Sequence, residues 1–123
     1  MTFFTVINCI DGRIQLPVIQ YLQQKYNVEF IDSITEVGPN LILADNIDSS
    51  TVQSIYNKLD ISFNNHKSEG LAIVGHYGCA GNPAPKNEQI KHIQKAIKLI
   101  QNKYNEKEVI GLWIDQNFEV HEN

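Results

Sequence analysis

The sequence predicts a three-layer α/β/α domain with a mostly parallel central sheet of about four strands and a C-terminal antiparallel hairpin strand. Three observations carry that expectation. Short apolar, β-rich runs alternate with longer segments whose apolar residues recur at helical spacing. The run at 71–75 is continuously apolar, as central parallel strands are, and that at 3–8 is an apolar, β-rich run that reads as a buried strand. The last run is followed at once by a turn and a short return strand, "VIGLWIDQNFEVH".

Residues 3–8, "FFTVIN", form the first strand, which the polar "CIDGR" stops. Pro17 suits the first turn of a helix, and Val18, Ile19, Leu22 and Tyr26 fall on one face before Asn27, predicting a helix over about 16–26. "VEFIDSIT" from Val28 is the second strand, ended by the breaker "GPN" at 38–40 and followed by a short helical piece over 41–45. Asp48 to Thr51 supplies capping residues for a second long helix, whose face carries Val52, Ile55, Tyr56, Leu59 and Phe63 up to about His66. "LAIVG" from Leu71 is the third strand and stops at "HYGCAGNPAP". Ile90, Ile93, Ile97, Ile100 and Tyr104 make an apolar stripe that predicts a helix over about 86–104. Val109 then opens the fourth strand, "DQN" turns, and 118–121 return as a hairpin strand.

The length fits one domain, 1–123. A hydrophobic fraction of 42% and a charged fraction of 20% are ordinary for a folded globular chain and give no sign of disorder. A net charge of −4 and a single arginine, Arg13, argue against a nucleic-acid partner, because phosphate binding needs clustered Lys and Arg. Six of the nine lysines do fall within 86–107, at spacings that read as the solvated side of a helix. No apolar run approaches the length of a membrane span, and "MTFFTVIN" lacks the basic start of a signal peptide. The expectation is therefore a cytoplasmic protein with no membrane partner. In a reducing compartment Cys9 and Cys79 are expected as thiols or metal ligands rather than as a disulfide.

Ligands of open parallel sheets bind beyond the carboxyl ends of the strands, where the strand order reverses. The first and third strands both end in polar clusters, so if they are neighbours at that reversal Cys9 meets the loop that holds His76 and Cys79. Gly75, Gly78 and Gly81 loosen that loop and let both side chains turn to one point. Thiolate and imidazole donors suit zinc, and three protein ligands leave a fourth tetrahedral position for water or substrate. Asp11 either fills that position or stands beside it. Arg13 is placed to hold the Asp11 carboxylate in a two-pronged hydrogen bond, which keeps it ionised and able to orient a proton-bearing oxygen. The competing reading makes both cysteines small core hydrophobes, His76 a loop histidine and Asp11 with Arg13 a surface pair.

"CIDGR", followed later by "GHYGC", resembles the zinc signature of the β-class carbonic anhydrases, and "VIGLWIDQNFEV" resembles their closing strand and hairpin. The resemblance runs along essentially the whole chain, which is shorter than typical members. It implies one zinc ion per chain on Cys9, His76 and Cys79, with Asp11 and Arg13 as the catalytic dyad. It also implies reversible hydration of carbon dioxide to bicarbonate by a zinc-bound hydroxide, and a homodimer or a higher even oligomer. Two alternatives share the site: hydrolysis of carbonyl sulfide or carbon disulfide, and a zinc-binding regulatory protein in which Asp11 closes the coordination sphere. Ile10, Val37, Leu41 and Tyr77 are expected at the pocket, with the Gly38, Pro39, Asn40 loop near the metal. None of His66, His92 and His121 is assigned to proton transfer.

Overall fold

Five segments rich in β-branched and aromatic residues pair into one sheet: β1 (Phe3–Cys9), β2 (Phe30–Glu36), β3 (Gly70–His76), β4 (Glu108–Ile114) and β5 (Val120–Glu122). Helices α1 (Gly12–Tyr26), α2 (Pro39–Asp45), α3 (Ser50–Asn65) and α4 (Lys86–Lys103) connect them. The structure, a computed structural model, describes residues 1–47 and 49–123, so the capping expected of Asp48 lies outside the described residues. Beside it, Ser49 caps α3, its hydroxyl accepting from the Val52 N–H at 3.2 Å.

The strand order is β2-β1-β3-β4-β5, with the first four parallel and β5 antiparallel to β4. The chain moves from β1 out to β2 and then crosses back to β3 on the other side of β1. That reversal is the switch point at which such sheets open a crevice. In register, Thr5 lies beside Leu71 and Ile7 beside Ile73, so the carboxyl ends of β1 and β3 leave the sheet side by side.

Alternation along the strands divides the core between two faces. Phe4, Val6, Ala72, Val74 and Leu112 pack on Ile14, Val18 and Leu22 of α1. On the other face Ile7, Leu71 and Ile73 meet Leu43 of α2, Ile55, Leu59 and Phe63 of α3, and Ile93, Ala96 and Ile100 of α4. β3 is buried along its whole length, as a central parallel strand is. A side chain such as Ile73 contributes about 1.5–3 kcal/mol by leaving water, and together these contacts fix how the switch point is held.

Four boundaries differ from the sequence reading by two residues or more, one of them the start of β2 at Phe30 rather than Val28. α1 begins at Gly12 rather than near residue 16, because Asp11 acts as its N-cap and accepts from the Arg13 N–H at 3.0 Å. Pro17 therefore sits inside the helix and not in its first turn. The short helix α2 starts at Pro39, straight after Gly38 turns left-handed with φ 64°. The return strand starts at Val120, since Phe118 (φ 62°) still closes the turn by donating to the Asp115 carbonyl at 3.0 Å.

Candidate metal centre

Cys9 ends β1 and His76 ends β3. The chain then turns through Gly78 at φ 70°, a conformation glycine adopts without strain, and returns Cys79 beside them. The two Sγ atoms are 4.0 Å apart, and one ligand atom from each of Cys9, His76 and Cys79 lies within 4.8 Å of the other two. All three residues are buried, each no more than 4% exposed.

The imidazole shows what this arrangement suits. His76 Nδ1 is 3.0 Å from the Tyr77 carbonyl oxygen, which only accepts, so Nδ1 carries the hydrogen and Nε2 keeps a bare lone pair. That Nε2 is fully buried and has no hydrogen-bond partner among the described residues. Burying an acceptor unpaired costs about 1–3 kcal/mol, which a cation placed there would recover. Burial also holds the His76 pKa below its ordinary value, keeping the ring neutral, and pushes the Cys79 thiol up. Bound to a metal, the thiols become thiolates, so the cluster of one imidazole and two thiols fits zinc by softness and by number.

Asp11 follows Cys9 by two positions and lies outside the three-residue group. Arg13 Nε donates to its Oδ1 at 3.0 Å and Nη2 to its Oδ2 at 2.7 Å, while the Arg13 backbone N–H also reaches Oδ1. These hydrogen bonds hold the Asp11 carboxyl far below the usual carboxylate range, and they raise Arg13 in return. The carboxylate is therefore charged at any physiological pH. Beside it a cavity of about 90 Å³ is bounded by Arg13, His76, Tyr77 and Phe118, and a larger cleft of about 700 Å³ adjoins it at Tyr77 and Asp115. Neither cysteine lines either hollow, but the small one is bounded by His76 and Arg13 and the larger one by neither, so the small one is the hollow next to the donor set.

Of the four residues expected at the pocket, Tyr77 lines both hollows, whereas Ile10 and Val37 are exposed and Leu41 is partly buried; none of these three lines either hollow. The Gly38 loop supports the ligand loop instead. A Cβ at Gly38 would stand 2.6 Å from the Gly81 carbonyl carbon, two residues beyond Cys79. The Asn40 Oδ1 accepts from Asn82 Nδ2 at 2.9 Å. Two further polar residues escaped the sequence reading, Gln15 and Gln89, whose amides bond the backbone of the two ligand loops. The available signal was Gln89 itself, a polar residue in register with the buried Ile93, Ala96 and Ile100.

This fold and this cluster define an open α/β protein with a soft-metal donor set at the carboxyl edge of its sheet. The chain belongs to the carbonic anhydrase family whose model, described as "Putative carbonic anhydrase", matches residues 1–122. Among solved structures it is similar to a tetrameric β-carbonic anhydrase of Sordaria macrospora, at 15% identity and TM-score 0.59, over 97% of this chain and 79% of that one. It is also similar to a mutant of the β-carbonic anhydrase CafD of Aspergillus fumigatus, at 11% identity and TM-score 0.62, over 100% of this chain and 90% of that one. At such identities the likeness shows the fold. No curated protein matches the chain in sequence.

Proposed function

We propose that this protein is a zinc-dependent carbonic anhydrase that interconverts carbon dioxide and bicarbonate, with Cys9, His76 and Cys79 as metal ligands. The observation that carries the reading is the buried, unpartnered Nε2 of His76 in a cluster with two thiols, next to an ionised Asp11. Zinc held there would supply the Lewis acidity that makes water a nucleophile near neutral pH. The remaining work falls to the chain. Asp11 accepts the hydrogen of the attacking water and so aims its lone pair, while Arg13 fixes the carboxylate in position and in charge. Because Arg13 engages both carboxylate oxygens, the geometry favours Asp11 as an orienting acceptor over Asp11 as a fourth ligand. Water adds to carbon dioxide, bicarbonate leaves, and one proton passes to solvent.

We extend the proposal to assembly and location. Ile10 donates its N–H to the Glu36 carbonyl, which sets it beside Val37, and the two are 60% and 47% exposed at the edge of the site. A second copy covering this apolar pair would shield the reaction from bulk water, so we expect a homodimer or a higher even oligomer. Cysteine thiols serving as ligands suit a reducing compartment, and we propose the cytoplasm. No helix among the described residues is long and apolar enough to cross a membrane.

Stopped-flow hydration of carbon dioxide on zinc-loaded protein tests the activity. Measurable turnover that rises from about pH 7 to about pH 9 supports it. Zinc-loaded protein that is inert toward carbon dioxide yet hydrolyses carbonyl sulfide would transfer the same residues to that substrate.

A further inference from the structure

We propose that Gln15 and Gln89 are a matched pair of positioning residues that hold the two ligand loops ready for a metal ion; the inference rests on the metal-site reading above. Each is the fourth residue of the helix that follows a ligand-bearing strand, α1 after β1 and α4 after β3. Each reaches back to the loop its helix has just left.

Gln15 Nε2 donates to the Cys9 carbonyl at 2.8 Å and to the Asp11 carbonyl at 2.9 Å, bracketing the first ligand and the orienting carboxylate. Its Oε1 accepts from Asn8 Nδ2 at 3.1 Å, which ties the same side chain to β1. Gln89 does the same for the second loop. Its Nε2 is 3.0 Å from the His76 carbonyl oxygen and 3.1 Å from those of Asn82 and Ala84, while its Oε1 receives the His76 N–H at 3.3 Å. Cys79 lies between those anchor points, so one amide closes the loop that carries two of the three ligands. Gln89 is only 1% exposed, so water cannot replace these bonds if they are lost.

An uncharged amide is the side chain this task requires, since it offers donors and an acceptor at one tip. A glutamate would set a carboxylate against carbonyl oxygens, and an aliphatic residue would leave them unpaired. The consequence for function follows from metal geometry: ligand distances tolerate only about 0.2 Å, so loops fixed before binding lose less on capture.

The test titrates metal-free Gln15→Met and Gln89→Met with zinc against a chromogenic chelator, and with cobalt(II), whose visible bands report tetrahedral coordination. Val18→Ala on α1 and Ile100→Val on α4 serve as controls that trim the core of the same helices without removing a hydrogen bond to either loop. Each glutamine variant should bind zinc roughly 10- to 100-fold more weakly and give a weakened cobalt spectrum. The controls should bind as tightly as the native protein although they melt earlier. Native-like affinity in both glutamine variants, or an equal loss in controls of matched melting temperature, would overturn the inference. Should Gln89→Met fail to fold, the half-buried Gln15 decides. Native protein that binds no zinc would instead remove the metal-site reading and this inference with it.

Discussion

Gly38→Ala is a perturbation far from both cysteines in sequence whose effect should reach them. Gly38 has φ 64°, and an added Cβ would stand 2.6 Å from the Gly81 carbonyl carbon, 2.9 Å from its oxygen and 3.0 Å from the Asn82 nitrogen. All three are backbone atoms, so no side chain can swing away. Holding alanine in the left-handed region costs about 1–2 kcal/mol. Forcing a methyl group into filled space adds roughly 1–3 kcal/mol. The loss of unfolded-state freedom offsets about 0.4–1 kcal/mol of this. A net destabilisation of roughly 1–4.5 kcal/mol remains, which for a domain of this size lowers Tm by roughly 4–18 °C. Thermal melts by circular dichroism on metal-free protein read this directly. A zinc titration on the same sample should show weaker binding, because the Gly81 backbone shifts next to Cys79. A Tm within about 2 °C of the native protein would refute the close approach of the two loops.

Cys79→Ser should leave a folded protein that no longer retains zinc through dialysis, measured as metal content per chain. Arg13→Ala should keep zinc but lower turnover roughly 10- to 100-fold, since Asp11 then loses the partner that orients it; equal metal loss in both variants would contradict the assigned roles. Asp115 is held below its ordinary value of 3.8, first by its hydrogen bond to His121 and then by the Glu119 and Asn117 N–H groups. A lowered carboxyl stabilises the fold above its unfolded pKa and loses that contribution as pH falls through the native one. Urea midpoints of native protein and Asp115→Asn should therefore differ more at about pH 5 than at about pH 3, and a gap that widens in acid would refute this account. Ile73→Ala, in the middle of the buried β3, should cost about 2–5 kcal/mol without altering the zinc stoichiometry of the protein that remains folded.

The architecture was legible where hydrophobic patterning alone determines it. An apolar, β-rich run marked β1 as a buried strand, a continuous apolar run marked β3 as a central one, and polar clusters at the ends of both marked the edge on which Cys9, His76 and Cys79 now meet. The start of α1 was hidden because Asp11 does two things at once: its carboxylate caps the helix and grips Arg13, and the sequence reading assigned it only to the second. Pro17 then attracted the helix start toward itself. The contact between Gly38 and Gly81 was invisible because it joins loops after different strands, and nothing local distinguishes it from any glycine turn. Gln15 and Gln89 were overlooked for a related reason. Their partners are backbone carbonyls, which carry no residue identity, so only coordinates reveal that a glutamine in an apolar stripe is satisfied rather than misplaced.

The central claim is that Cys9, His76 and Cys79 together hold a metal ion, and elemental analysis of folded, untagged protein tests it most directly. The account predicts about one zinc per chain, retained at neutral pH and released by a chelator with a loss of melting temperature. Folded protein that contains no zinc, and takes up none when it is supplied, would contradict it.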